Sequence, residues 1–197
     1  MIRYLERLKN DKMLCTAILI AINVIVFALF AGAGQLQNTA FFREYGAMYV
    51  PYVIQGGQWY RLVTSMFLHF SVEHLLFNML MLALLGKELE PIKGYIRYLV
   101  IYFVSGIGGN LVSMVMILMT NPTLNVVSAG ASGAIFGLVG ATLGTMLKTQ
   151  QPVGRLGRRG IIVMLIFSLY VGFTSAGVNN AAHVGGVIFG FLISLIV

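Results

Sequence analysis

Charge is the scarcest property of this 197-residue chain: only 10% of its residues are Asp, Glu, Lys or Arg, while 58% are hydrophobic. Mean hydropathy is +0.88, and such a chain does not make a water-soluble globule. Cysteine is almost missing. Cys15 stands alone, which excludes an internal disulfide and a four-thiolate zinc site and leaves a small apolar residue facing lipid or a neighbouring helix. Asp11 is the single aspartate, so a hydrolytic triad has almost no carboxylate to draw on. Several motifs are absent as well. No G-x-x-x-x-G-K-[ST] occurs, which removes ATP coupling, and His69 and His74 are spaced i, i+5 rather than as H-E-x-x-H, which removes a zinc metalloprotease. G-A-S-G-A is not G-x-S-x-G and no strand is predicted before it, which removes an α/β-hydrolase elbow.

What is present is a series of long apolar runs. Because a span needs about 20 mostly apolar residues, the pattern predicts six transmembrane helices near 13–33, 64–86, 95–119, 130–147, 160–177 and 181–197. The fold class is therefore all-α, a polytopic bundle forming one domain over 1–197, with an interfacial first loop at about 34–63. Lys and Arg sort by side. Arg3, Arg7, Lys9 and Lys12, then Lys87, Lys93 and Arg97, then Lys148, Arg155, Arg158 and Arg159 fall on one face, eleven of the 13 basic residues. Arg43 and Arg61 are on the other. The positive-inside rule places both termini in the cytoplasm.

The basic N-terminus precedes an apolar run too long for a signal-peptide core, and no A-x-A-like cleavage site follows, so a retained first span is predicted. The net charge of +7 does not indicate nucleic acid. The cations sit in short segments between apolar runs with no basic stripe interleaved with aromatics. Lipid is the expected environment, and no soluble partner is evident. The first loop, GQLQNTAFFREYGAMYVPYVIQGGQWYR, carries Phe41, Phe42, Tyr45, Tyr49, Tyr52, Trp59 and Tyr60, rings that favour the headgroup boundary.

Chemistry concentrates in GASGAIFG, residues 130–137, where Ser132 lies among glycines at the start of the fourth span. Gly133, Gly137, Gly140 and Gly144 recur at helical spacing, and Gly185, Gly186 and Gly190 mark the sixth span. Small residues let helix backbones approach closely where apolar burial supplies no drive. That seam is expected to bring Ser132 and His183, both near the outer face, within hydrogen-bonding range. A hydroxyl needs a base to become a nucleophile, and imidazole is suited to that role. With no carboxylate in place, a serine hydrolase here is a Ser–His dyad, its imidazole oriented by stacking on Phe136. In HFSVEHLLFNM, His74 and Asn78 are i, i+4 on one face. They serve either as interhelical polar glue or as oxyanion donors; their depth beside Ser132 and His183 favours the second. His69 is expected to be structural, tethering the first loop.

These residues together resemble the rhomboid family of intramembrane serine proteases. The resemblance runs from about Gln58 onward, through Trp59-Tyr60-Arg61 in place of a W-R loop motif, His69, His74 and Asn78 as H-x-x-x-x-H-x-x-x-N, G-x-S-G at 130–133, and A-H-x-x-G-x-x-x-G at 182–190. It implies Ser132 as nucleophile, His183 as general base, and Asn78, His74 and the Ser132 amide as oxyanion donors. Gly130 and Phe136 would contact substrate. It also implies cleavage of single-span membrane proteins in or near their transmembrane segments, without metal or cofactor, with the fifth span and the 174–180 loop as gate and cap. Phe136 stands where many members have Tyr, and Tyr60 where the family often has the Trp. No soluble N-terminal domain or seventh span is predicted, and a bacterial plasma membrane is the expected location. The rival readings are a small channel or transporter lined by the same polar residues, and a non-catalytic relative that binds membrane helices.

Overall fold

The first long apolar run folds as helix α1, Leu14–Gly32, and its N-terminus is satisfied from elsewhere in the chain. The Glu90 carboxylate accepts from the backbone N–H groups of Cys15 and Thr16, both at 2.9 Å, and from the Thr16 hydroxyl, which also reaches Tyr98 Oη at 3.0 Å. The first N–H groups of a helix have no intrahelical acceptor, and a carboxylate there also meets the positive end of the helix dipole. Glu90 is only 2% exposed. The computed structural model describes residues 13–120, 125–154, 157–174 and 177–197. The basic N-terminal segment and Arg155 lie outside them.

After α1 come α2 (Thr39–Glu44), strand β1 (Met48–Tyr49), α3 (Val50–Ile54) and α4 (Arg61–Thr64), which passes into a 3₁₀ turn at Ser65–Phe67. Then follow α5 (Val72–Lys93), α6 (Tyr95–Thr120), β2 (Val127–Ser128), α7 (Ser132–Thr149), α8 (Arg158–Thr174) and α9 (Asn180–Ile196). Among the described residues, α1 and α6 are by length and composition able to cross a membrane, and the pair Arg61–Phe67 with Val72–Lys93, bent by 97°, makes a third candidate. α7 is less apolar because most of its surface faces protein, with Leu138, Ala141 and Thr142 all buried.

Three expectations are corrected. The sequence predicts a second span at 64–86, yet α5 starts at Val72. Ser71 is extended and its hydroxyl accepts from the His74 N–H, an N-cap that ends the apolar run's continuity. At the other end α5 continues through Lys87, Glu88 and Glu90, so the second connection is reduced to Gly94, at φ +77°. Finally, a strand does precede the serine turn. β2 pairs antiparallel with β1, Met48 opposite Ser128 and Tyr49 opposite Val127. At two residues a strand it is a clip between loop and site, not a sheet, and the fold remains nearly all helix.

Arg61 organises the first loop. Its guanidinium is 1% exposed and donates to the Gln58 side chain at 2.7 Å and to the carbonyls of Arg43 at 2.6 Å and Ala47 at 2.8 Å. The Tyr52 and Tyr60 rings lie 4.9 and 5.6 Å from it. Five donors on a planar fork suit three acceptors at fixed angles, which a lysine ammonium cannot match. Tyr60 thus lies over Arg61, and both it and Trp59 remain about half exposed. Arg61→Ala should lower the stability of detergent-solubilised protein by about 2–4 kcal/mol and open segment 34–60 to limited proteolysis, with Arg61→Lys recovering only part; unchanged cleavage of that segment would refute this role for Arg61.

Candidate active site

Ser132 is the first residue of α7, and His183 lies one turn into α9. His183 Nε2 is 2.9 Å from Ser132 Oγ. The Phe136 ring stacks on the imidazole with centroids 4.1 Å apart and planes 13° from parallel. His183 is 7% exposed, and its Nδ1 has no hydrogen-bond partner among the described residues.

Glycine sets this separation. A methyl group on Gly186 would fall on the Gly133 carbonyl, and one on Gly190 would lie 2.6 Å from Gly137 Cα. Gly140 and Gly144 stand likewise against the backbone of Val187 and Phe191. A third helix joins the seam. Gly137 abuts Ser105 of α6, Gly109 has the Ala182 carbonyl 2.5 Å from the place of a Cβ, and Gly185 packs on Val112. The run Ser105-Gly106-Ile107-Gly108-Gly109 is a small-residue signal that spacing in the fourth and sixth spans overshadowed.

The turn before Ser132 is held on the opposite side. Gly130 has φ +132°, and a Cβ there would meet the His74 ring at 2.8 Å. Its N–H donates to the Ser65 carbonyl at 2.9 Å, and Asn110 ties Ser65 Oγ and the Leu62 carbonyl to α6. The Ala131 N–H approaches His69 Nε2 at 3.5 Å, and the His69 and His74 rings meet edge to face at 4.9 Å. His69 therefore braces the serine turn rather than the aromatic loop, a correction to its expected tether. It sits before α5, in the turn that Ser71 ends.

Asn78 is one turn below His74 and donates through Nδ2 to the His74 carbonyl at 2.8 Å. A side-chain amide has two N–H groups, so the other remains for the space in front of Ser132. That space is a cavity of about 1050 Å³ which Ser132, His183, His74, Asn78 and Phe136 all line. Phe77 and Met81 of α5 form one wall, and Leu165 and Ser168 of α8 the other. Asn180, the first residue of α9, donates to the Gly172 carbonyl in the last turn of α8 at 3.1 Å. Residues 175–176 of the expected cap lie outside the described residues.

A Ser–His pair with its imidazole buried in a bundle of apolar helices, beside a cavity walled by two of them, defines a membrane-embedded protein with a hydrolase-like constellation. Sequence comparison makes this specific. The sequence model of the Rhomboid domain matches residues 56–197. The rhomboid protease GluP of Bacillus subtilis is 37% identical over 183 residues, 93% of this chain and 34% of that protein. The putative rhomboid protease YdcA of the same organism is 38% identical over 143 residues, 73% of this chain and 69% of its own length. The rhomboid protease AarA of Providencia stuartii is 37% identical over 158 residues, covering 71% and 56%. The chain belongs to the rhomboid family, and it spans about a third of GluP and just over half of AarA.

Gly190→Ala should lower the thermal midpoint in detergent by the equivalent of about 1–3 kcal/mol, the usual cost of overpacking. Gly160→Ala, where a Cβ meets nothing within 4 Å, should stay within about 0.5 kcal/mol of the parent. Equal midpoints for the two variants would contradict the seam as described.

Proposed function

We propose that this chain is an intramembrane serine endopeptidase, a single domain of six membrane spans, that cleaves single-span membrane proteins in or near their transmembrane segments. The carrying observation is the 2.9 Å approach of Ser132 Oγ and His183 Nε2 at the edge of the cavity. The relatives named as rhomboid proteases support the reaction type. α1, α5, α6, α7, α8 and α9 are the six spans, both termini are cytoplasmic by the distribution of Lys and Arg, and the site opens toward the outer face of a bacterial plasma membrane.

A substrate helix protects its carbonyls by its own hydrogen bonds, so it must unwind locally on entering between α5 and α8. Ser132 Oγ then attacks the exposed carbonyl as His183 Nε2 takes the hydroxyl proton. The developing oxyanion is met by the free Asn78 N–H, by a His74 ring N–H and by the Ser132 backbone N–H at the positive end of α7. Collapse breaks the C–N bond, and His183 returns its proton to the leaving amine. Water, activated by the same imidazole, hydrolyses the acyl-enzyme. Side chains and water complete this cycle. Gly130 lets the substrate backbone approach the serine turn, and Phe136 keeps the imidazole plane fixed.

A fluorophosphonate probe should label the detergent-solubilised protein at Ser132, with labelling abolished in both Ser132→Ala and His183→Ala; a folded but unreactive wild type would refute the protease reading. Asn78→Ala should still be labelled but cleave a model transmembrane substrate on the order of 10²-fold more slowly, which steady-state kinetics would check.

A further inference from the structure

Four residues before each reactive side chain lies a polar residue, and the two are bonded to each other. Ser128 precedes Ser132, Asn179 precedes His183, and Asn179 Nδ2 donates to Ser128 Oγ at 3.0 Å. The same Nδ2 donates to Ser113 Oγ of α6 at 2.7 Å. An amide nitrogen has two hydrogens, and both are used. The amide oxygen accepts from the Ala182 N–H at 3.1 Å, capping α9, while the Asn179 main-chain carbonyl accepts from the His183 N–H at 3.2 Å. One side chain thus touches three segments: the first turn of α9 that carries His183, the β2 end that leads to Ser132, and the outer half of α6.

We infer that Asn179 is a positioning residue that sets the register between the Ser132 turn and the His183 turn. The inference rests on the dyad proposed above and goes beyond it. The glycine seam fixes how closely α7 and α9 approach but leaves sliding and rotation at their outer ends to other contacts. β2 continues into the Ser132 turn through three residues, so movement of Ser128 is transmitted to Ser132. A cap alone would not require asparagine, since Ser, Thr and Asp cap as well. Only a side chain with one acceptor and two donors makes all three bonds without rotating the serine protons.

The discriminating variant is Asn179→Ser, which retains a capping oxygen but is too short to reach Ser113 and Ser128. It should reduce the fluorophosphonate labelling rate and kcat by roughly 10-fold or more, as expected for a displaced reacting pair. Asn179, Ser113 and Ser128 also line the substrate cavity, so the labelling rate by a small fluorophosphonate, which does not fill that cavity, is the measure of the reacting pair, and kcat should fall with it. The thermal midpoint should fall by no more than a few degrees. If Asn179 acts through the two hydroxyls, Asn179→Ser should add nothing to a Ser113→Ala/Ser128→Ala background. Labelling and turnover at wild-type rates would overturn the inference, as would additive losses in the combined variant. Incomplete labelling at the wild-type rate per folded molecule would assign Asn179 to stability alone, and also overturn it. Ser132→Ala, run alongside, separates the two readings: wild-type labelling that survives it defeats the dyad itself, whereas labelling lost in Ser132→Ala but normal in Asn179→Ser defeats only the role of Asn179.

Discussion

The close approach of the α7 and α9 backbones is the constraint from which the rest follows. In lipid, moving an apolar side chain from hydrocarbon to a helix interface gains little, so association depends on packing and on polar contacts. Where Gly186 meets the Gly133 carbonyl and Gly190 meets Gly137, no side chain intervenes. The distance between the two axes is then set by backbone atoms, which do not change rotamer. Side chains one turn from that contact inherit its rigidity, and Ser132 and His183 are placed there. α6 closes the third side through Gly109 and Ser105, so α7 is held on two flanks and cannot rotate freely about its axis.

The two ends of the bundle are tied by different means. At the end that carries the Ser132 turn, the first loop reaches that turn through backbone: β1 pairs with β2, and Ser65 accepts from Gly130. Arg61 holds the loop's own fold, which makes the ribbon's position predictable from a single buried cation. At the opposite end, Glu90 caps α1 while Lys93 and Lys148 donate to the last carbonyls of α9. Charges at helix ends offset the dipoles, and here each comes from a neighbouring helix. Capping therefore doubles as attachment between helices, a use of charge suited to a sequence with so little of it.

Much of this was legible in the residues. The apolar runs located the long helices, and the glycine spacing pointed to the contact between the fourth and sixth. Stacking of Phe136 on His183 followed from helical spacing. The features that the residues do not reveal have a common physical origin. Hydropathy does not register where a helix starts when apolar residues continue past its cap, so the turn 68–71 reads as part of the second span although Ser71 caps α5 by accepting from the His74 N–H. Charge suggests a connection at Lys87, Lys93 and Arg97, yet all three are helical, in a stretch where the nearby Glu90 serves α1 rather than solvent. The two-residue ribbon carries no period-2 signal at all. Asn179 and Ser128 are ordinary polar residues in the sequence, and their importance lies in a contact across 51 positions.

On the proposed reading, a Ser132–His183 pair working without a carboxylate suits this site, and magnitudes decide it. For Ser132 to pass its proton to His183 Nε2, the ring hydrogen must reside on Nδ1, which finds no partner among the described residues. A buried unpaired N–H costs about 1–3 kcal/mol. Placing a carboxylate beside it would desolvate a full charge, at several kcal/mol even after relaxation, in a bundle whose surroundings are hydrocarbon. Neutral contacts hold the imidazole instead: the Phe136 face lies against the ring plane, and the His183 main chain is pinned to Asn179. On the proposed mechanism, the imidazolium formed during attack is stabilised by the oxyanion opposite it, so charge separation in the site would be brief and short-ranged.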